Sequence, residues 1–146
     1  REDEAGIILF KDEHLQKRYT KRDCVVYMDC DTENYLNNPQ LVGGFQLARK
    51  TDFSISFYEE ALKWAQDDRI LTDKPNECGK DNYPEFDDHR HDQSIFTNMQ
   101  LKYNITTRAD PSQWGNPRRE EGYKQLINCH RINYNKDDIE YKILVD

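Results

Sequence analysis

Apolar residues recur along this chain with two spacings, and each spacing predicts a different element. A nearly continuous apolar run over residues 5–10 favours a short buried β-strand. A spacing of three to four positions over residues 51–65 predicts an amphipathic helix, which Thr51 or Asp52 can cap. The apolar positions of that helix are Phe53, Phe57, Ala61, Leu62 and Ala65.

Two further apolar segments each follow a candidate helix start. The run over 24–28 fits a helix or a strand, and the capping-box pattern over 20–23 favours the helix. Another helix is predicted after Asp92, with Asp92 or His91 as its cap, and it extends to about residue 103. Its apolar positions are Ile95, Phe96, Met99 and Leu101.

Residues 41–47 predict a strand that contains the adjacent glycines Gly43 and Gly44. Glycine within a strand is typical of a bulge, or of a position that another backbone or a ligand approaches closely. A last strand is predicted over 141–145. The length of the chain predicts a single domain over 1–146, with room for an apolar core.

A long polar segment over 67–91 separates the two best-defined helices, and two prolines and a glycine interrupt it. A loop of this length inside a compact domain is more often functional than idle. A second turn-rich loop, over 110–117, carries Trp114. Both loops are therefore places to look for a binding site.

Composition excludes some classes of function. Charged residues make up 34% of the chain, but aromatic residues at 12% argue against disorder. The formal charge is −7, from 21 basic and 28 acidic residues, so we expect no unspecific binding to nucleic acid.

The chain has no apolar run near the roughly 20 residues that span a bilayer, so we expect no membrane span. No leader is visible, and none of the four cysteines forms a Cys-x-x-Cys pair, so we expect reduced thiols and a cytoplasmic location. The first residue is Arg1 rather than Met, which predicts that the natural start lies upstream.

Residues 88–94 concentrate groups that can hold a proton, a metal or a sugar hydroxyl. In a strand-like segment His89 and His91 would point the same way and, with Asp88, Asp92 or Cys78, could bind zinc, iron or manganese. This arrangement would suit a metal-dependent hydrolase.

The same segment has two other interpretations. In the structural one, Asp92 only caps a helix and the two histidines hold down the long loop. In the ligand-binding one, Asp92 and Gln93 lie in the first turn of the helix and grip two adjacent sugar hydroxyls. A separate pair, Asp29 and Asp31, forms an Asp-x-Asp pattern that could hold a divalent cation and a diphosphate.

Five segments occur in an order that resembles small bacterial and viral glycosyltransferases of the GT-A, or nucleotide-diphospho-sugar transferase, fold. They cover most of residues 5–117, and the run around His91 is the most specific of them. The segments are Thr20-Lys21-Arg22-Asp23, Pro39-Gln40 with Gly43-Gly44-Phe45-Gln46, Arg69-Ile70-Leu71-Thr72-Asp73, residues 88–94, and Asp110-Pro111-Ser112-Gln113-Trp114-Gly115.

The resemblance implies an α/β fold, with a small mixed sheet flanked by helices, and roles for individual residues. It implies transfer of a sugar from a nucleotide-sugar donor to a glycan or glycoconjugate acceptor, with Mn²⁺ or Mg²⁺ as a possible cofactor. Asp92 would contact the reacting sugar, as general base if the reaction inverts. The substrate-binding residues would be Gly43, Gly44, Gln46, His89, His91, Gln93 and Trp114.

The resembling enzymes begin with a nucleotide-binding half that ends in an acidic, metal-binding motif. Only a few residues precede Gly6 here, so the resemblance covers the acceptor-side part and predicts that an amino-terminal half is missing. Asp29 and Asp31 could replace that motif, although they lie after the predicted position. The alternatives are a non-catalytic carbohydrate-binding remnant and the hydrolase.

Overall fold

A four-stranded mixed sheet organises the molecule around its first strand. The computed structural model describes residues 5–112, 114, 125–127 and 129. Strand β1 pairs with β2 and β3 in antiparallel fashion and with β4 in parallel fashion. The strands are β1 (Ile7–Leu15), β2 (Pro39–Leu41), β3 (Leu47–Ala48) and β4 (Thr107–Ala109).

Helices flank this sheet, so the fold is mixed α/β with a small open sheet, as predicted. The described helices are α1 (Gln16–Tyr19), α2 (Arg22–Tyr27), α3 (Glu33–Leu36), α4 (Asp52–Ala65), α5 (Asp68–Leu71) and α6 (His91–Lys102). No helix in the described part combines the length and apolarity that crossing a bilayer requires.

The core lies where β1 meets α2, α4 and α6. Fully buried members include Ile7 and Leu9 of β1, Val25 of α2, Phe57 of α4 and Met99 of α6. Burying an aliphatic or aromatic side chain of this size contributes about 1.5–3 kcal/mol. This shared core therefore fixes β1 and the helices that carry the candidate site to one another.

The predictions for 5–10 and 51–65 are confirmed. The first is the start of β1, which extends further than the apolar run, to Leu15. The second is α4, in which Thr51 Oγ1 accepts from Ser54 N at 3.0 Å and Ser54 Oγ accepts from Thr51 N at 2.9 Å. This reciprocal pair makes Thr51, rather than Asp52, the cap.

The run over 24–28 lies in a helix, α2, but the predicted capping box is wrong. Lys21 is the residue before the helix, and no side chain caps it. The hydroxyl of Thr20 instead donates to Ser94 Oγ at 2.9 Å, and the carboxylate of Asp23 accepts from the long loop. The side chains of Thr20 and Asp23 therefore bond to residues elsewhere in the fold and do not cap the helix.

The predicted strand over 41–47 is two short strands separated by the glycine pair. Val42 N still donates to Phe10 O at 2.7 Å, and pairing resumes at Leu47, opposite Ile8. The interruption falls at the glycine pair. The predicted strand over 141–145 lies outside the described residues.

Most of the segment 67–91 is irregular, as predicted, apart from the single turn of α5. Polar contacts with the start of α2 hold this segment in place. Lys21 Nζ donates to Thr72 O at 3.2 Å and to Lys74 O at 2.6 Å, and Arg22 N donates to Asn82 Oδ1 at 2.7 Å. The loop is thus anchored against the same region that supports residues 88–94.

Candidate functional site

His89 is a buried residue with both ring nitrogens engaged. Its side chain is 2% exposed, Lys21 N donates to Nδ1 at 3.3 Å, and the ring Nε2 lies 2.9 Å from Ile70 O. Nδ1 accepts and Nε2 must carry the proton, so these contacts select one neutral tautomer. Burial lowers the pKa of His89 to about 4, despite the bond to the Ile70 carbonyl. His89 therefore has a structural role, since it joins Lys21 to Ile70 inside the fold.

His91 has a different environment. It is exposed, has a φ of 47°, and its Nε2 lies 3.1 Å from both carboxylate oxygens of Asp73. This interaction lowers the pKa of the Asp73 carboxyl. The strand-like segment on which the alignment of the two histidines depended is absent, because His91 begins α6. The ring centroids nevertheless remain 5.2 Å apart.

Asp92 lies in the first turn of α6 and is exposed. Its Oδ1 accepts from Gln93 N at 2.9 Å, and no side chain caps the helix, whose preceding residue is Arg90. The prediction that Asp92 or His91 is the cap is therefore wrong. The carboxylate remains accessible to a ligand.

Gly43 and Gln93 are neighbours in space although they are distant in sequence. A Cβ at Gly43 would lie 2.8 Å from Gln93 Oε1 and 3.3 Å from Gln93 Cβ. The amide nitrogen of Gln93 donates to Gln40 Oε1 at 3.0 Å, which fixes the other side of the side chain. The group that approaches Gly43 is thus the side chain of Gln93, and not the backbone or ligand expected from the sequence.

The other predicted binding residues lie around this pair in different ways. A Cβ at Gly44 would meet nothing within 4 Å. Gln46 Oε1 accepts from the hydroxyl of Tyr58 at 2.9 Å, so it is turned toward α4. Trp114 is 49% exposed.

A buried polar network underlies Gln93, and sequence reasoning missed it. Gln40 is fully buried, and its Nε2 lies 3.0 Å from Gln16 Oε1, Tyr19 O and Thr20 Oγ1 and 3.2 Å from Ser94 Oγ. Polar residues are ordinarily assigned to the surface, so the hydrophobic pattern did not indicate that Gln16, Thr20, Gln40 and Ser94 are buried. The only sequence signal was Gln40 itself, beside the glycine-rich segment in the resembling motif.

The network continues along α6. Gln16 Nε2 donates to Asn98 Oδ1 at 2.6 Å, and Thr97 Oγ1 accepts from Leu41 N at 3.0 Å. Buried polar groups are costly unless hydrogen-bonded, and a connected set of this kind rigidifies the elements that it joins. It joins α1, β2 and α6, so the position of Gln93 is set by the fold.

The pair Asp29 and Asp31 has a structural environment. Asp29 is exposed and has a φ of 58°. Asp31 accepts from Arg22 Nη2 at 3.1 Å, from Lys80 Nζ at 2.9 Å and from the hydroxyl of Tyr83. Burial raises the pKa of Asp31, but these hydrogen bonds outweigh it and lower the pKa. Its oxygens are already occupied by protein donors.

Within the described residues, no group of three or more His, Cys, Asp or Glu side chains has a geometry that could hold a metal ion. Cys78, one of the ligands considered from the sequence, has its backbone N donating to Asp23 Oδ1 at 2.9 Å. Asp88 has its backbone N directed at Arg18 O. The loop therefore uses these positions for contacts with the amino-terminal region.

The arrangement at the start of α6 can bind a polar ligand. It offers the exposed carboxylate of Asp92 and the side-chain amide of Gln93, which is held by its bond to Gln40. It also offers the exposed backbone of Gly44, where a Cβ would meet nothing within 4 Å. No known protein family, curated protein or solved structure matches this chain.

Proposed function

We propose that this chain is the acceptor-side part of a GT-A-like glycosyltransferase, which transfers a sugar from a nucleotide-sugar to a glycan or glycoconjugate. One observation carries the proposal: Gly43 and Gln93 lie against each other beside the exposed carboxylate of Asp92. Their segments are two of those in which the sequence resembles these transferases.

The geometry supports a division of roles between Asp92 and Gln93. Gln40 holds the amide of Gln93, which leaves Gln93 suited to orient a sugar hydroxyl. Among the described residues Asp92 accepts only from Gln93 N, so its second oxygen can accept a proton from a hydroxyl. In an inverting reaction the hydroxyl oxygen attacks the anomeric carbon, the bond to the diphosphate breaks with its electron pair, and Asp92 takes the proton.

Asp29 and Asp31 do not fit the divalent cation that the resemblance implies. Asp31 is engaged by three donors, and releasing it would leave the charges of Arg22 and Lys80 without their carboxylate. No step is therefore derived through a cation at this pair. We expect any nucleotide or metal ligands to come from outside the described residues.

The two alternatives make different use of the same residues. The hydrolase would require His89 as a ligand, and whichever ring nitrogen bound the metal would lose its hydrogen bond in the core. A non-catalytic carbohydrate-binding module would keep the corner of Gly43, Asp92 and Gln93 but lack turnover. Only the second alternative is compatible with the observed geometry without rearrangement.

The test is sugar transfer by the natural full-length protein, with UDP- and GDP-sugars, with and without manganese, and mass-spectrometric detection of the product. Asp92→Asn keeps the shape of the side chain and removes its basicity, and we expect turnover to fall by about a hundredfold or more. Asp52→Asn, in the exposed first turn of α4, is the matched control and should keep full turnover.

Two results would contradict the proposal. One is no transfer with any donor, together with retained glycan binding, which would assign a binding module. The other is full turnover of Asp92→Asn, which would remove the role given to that carboxylate.

A further inference from the structure

Arg90 is held in place without an anionic partner among the residues that the structure describes. Its guanidinium carbon lies 4.4 Å from the centroid of the Tyr19 ring, and its backbone N donates to Tyr19 O at 3.0 Å. Neither the guanidinium of Arg90 nor the hydroxyl of Tyr19 forms a hydrogen bond or ion pair with any residue that the structure describes.

This arrangement is unusual in an acidic chain. Three other arginines each reach a carboxylate at 2.5–3.1 Å; the pairs are Arg18–Asp87, Arg22–Asp31 and Arg69–Asp67. With a net charge of −7, carboxylates are abundant, and Asp88 and Asp92 flank Arg90 in sequence. A guanidinium that stacks on an aromatic ring and pairs with none of the described carboxylates keeps its planar fork of donors for another anion.

Arg90 is also connected to the candidate site. Tyr19 O accepts from Gln40 Nε2 at 3.0 Å, and Gln40 Oε1 accepts from Gln93 Nε2 at 3.0 Å. Arg90 O accepts from Gln93 N at 3.0 Å. The stacked guanidinium and the side-chain amide of Gln93 are therefore connected through one framework.

We propose that Arg90, stacked on Tyr19, binds an oxyanion of the ligand that docks at Gly43, Asp92 and Gln93, and so selects an acidic sugar. Resting on the proposed function, this inference names the acceptor class as a glycan that carries carboxylate groups. A carboxylate matches the planar fork of a guanidinium with two parallel hydrogen bonds, and the tyrosine ring holds the fork in orientation. The same chemistry would suit the diphosphate of a nucleotide donor, and the experiment separates these two sources.

The test is calorimetric titration of the full chain with a uronic-acid trisaccharide, with the matching neutral trisaccharide and with UDP, at one ionic strength. We expect the acidic trisaccharide to bind at least about tenfold more tightly than the neutral one, the effect of a charge-assisted hydrogen bond. Arg90→Gln should remove this preference, and Arg90→Lys should keep only part of it.

Arg18→Gln is the matched control. Arg18 also lies near the Tyr19 ring, at 5.6 Å from its centroid, but it is exposed and paired with Asp87. It should therefore keep the preference. Thermal unfolding of each variant separates a loss of binding from a loss of fold. The preference for the acidic trisaccharide is also measured on the unmodified chain, where no substitution can disturb the fold.

If UDP, and not the acidic trisaccharide, binds more tightly than the neutral sugar through Arg90, the oxyanion site stands but the acidic acceptor is overturned. No preference for either anion, or equal losses in Arg90→Gln and Arg18→Gln, overturns the site itself. Preference at Arg90 without any transfer would remove the proposed function and keep the anion site. Equal transfer to acidic and neutral acceptors would keep the proposed function and overturn the preference for an acidic acceptor.

Discussion

The imidazole of His89 joins the start of α2 to α5 through Lys21 N and Ile70 O. A protonated ring could not accept from Lys21 N, and burial opposes its charge. The folded-state pKa, about 4, is below the ordinary value of 6.5. The unfolded chain therefore binds a proton first as the pH falls, and the stability contributed by neutral His89 is lost between about pH 6.5 and 4.

We predict that the free energy of unfolding falls over this pH range by up to about 3 kcal/mol more in the unmodified chain than in His89→Gln. Urea denaturation at a series of pH values measures the difference. His91→Gln, which changes an exposed histidine, should retain the steep dependence. Equal slopes for all three proteins would mean that His89 is not held neutral.

The glycine pair offers a second test at a single position. Alanine at Gly43 would place a methyl group 2.8 Å from Gln93 Oε1, while the amide nitrogen of Gln93 is held by Gln40. We predict that Gly43→Ala destabilises the fold by about 1–2 kcal/mol and shifts the Gln93 side chain. Gly44→Ala, with nothing within 4 Å, should be close to neutral in the same urea titration. If Gly44→Ala were the more destabilising of the two variants, the side chain of Gln93 would not lie against Gly43.

At the scale of elements, the long loop between α5 and α6 is fixed by a buried pair at the start of α2. Asp23 is fully buried and accepts from Glu77 N and Cys78 N, both at 2.9–3.0 Å, while Lys21 Nζ lies 3.7 Å from its carboxylate. Burial raises the pKa of Asp23, but the hydrogen bonds from Cys78 and Glu77 outweigh it and the pKa is lowered. The loop is thus folded around a carboxylate.

We predict that Asp23→Asn costs about 2–4 kcal/mol, because it leaves the charge of Lys21 buried without its partner. Amide hydrogen exchange at Glu77 and Cys78 should speed up more than exchange in the middle of α4. Asp68→Asn is the control, since Asp68 and Lys74 form an exposed pair whose loss should change stability by less than about 1 kcal/mol. Unchanged exchange at Glu77 would contradict this account of the loop.

Sequence pattern predicted elements best where local signals agreed with tertiary contacts. The apolar spacing and cap of α4 do agree, and both predictions hold. In α6 the apolar positions predicted the helix, but Ser94, Thr97 and Asn98 are fully buried as well. Their partners include Gln16 of α1, Gln40 and Leu41 of β2, and Cys24 of α2, and no local pattern carries such long-range pairings.

At the scale of the whole molecule, the sheet brings the glycine pair and the start of α6 to one place. The sequence predicted both segments as parts of one site; the structure makes Gly43 and Gln93 neighbours, and their role in a site stays a prediction. Its emphasis on the histidines has less support, because the environments of His89 and His91 depend on Lys21, Ile70 and Asp73, which are remote in sequence.

The central claim is that a sugar docks against Gly43, Asp92 and Gln93. The most direct measurement is an NMR titration of the isotope-labelled protein with an acidic and a neutral oligosaccharide, following backbone amides and the side-chain amide of Gln93. We predict shifts concentrated at these three residues and at Arg90, larger for the acidic sugar. Shifts confined to another surface, or none at saturating sugar, would contradict the account.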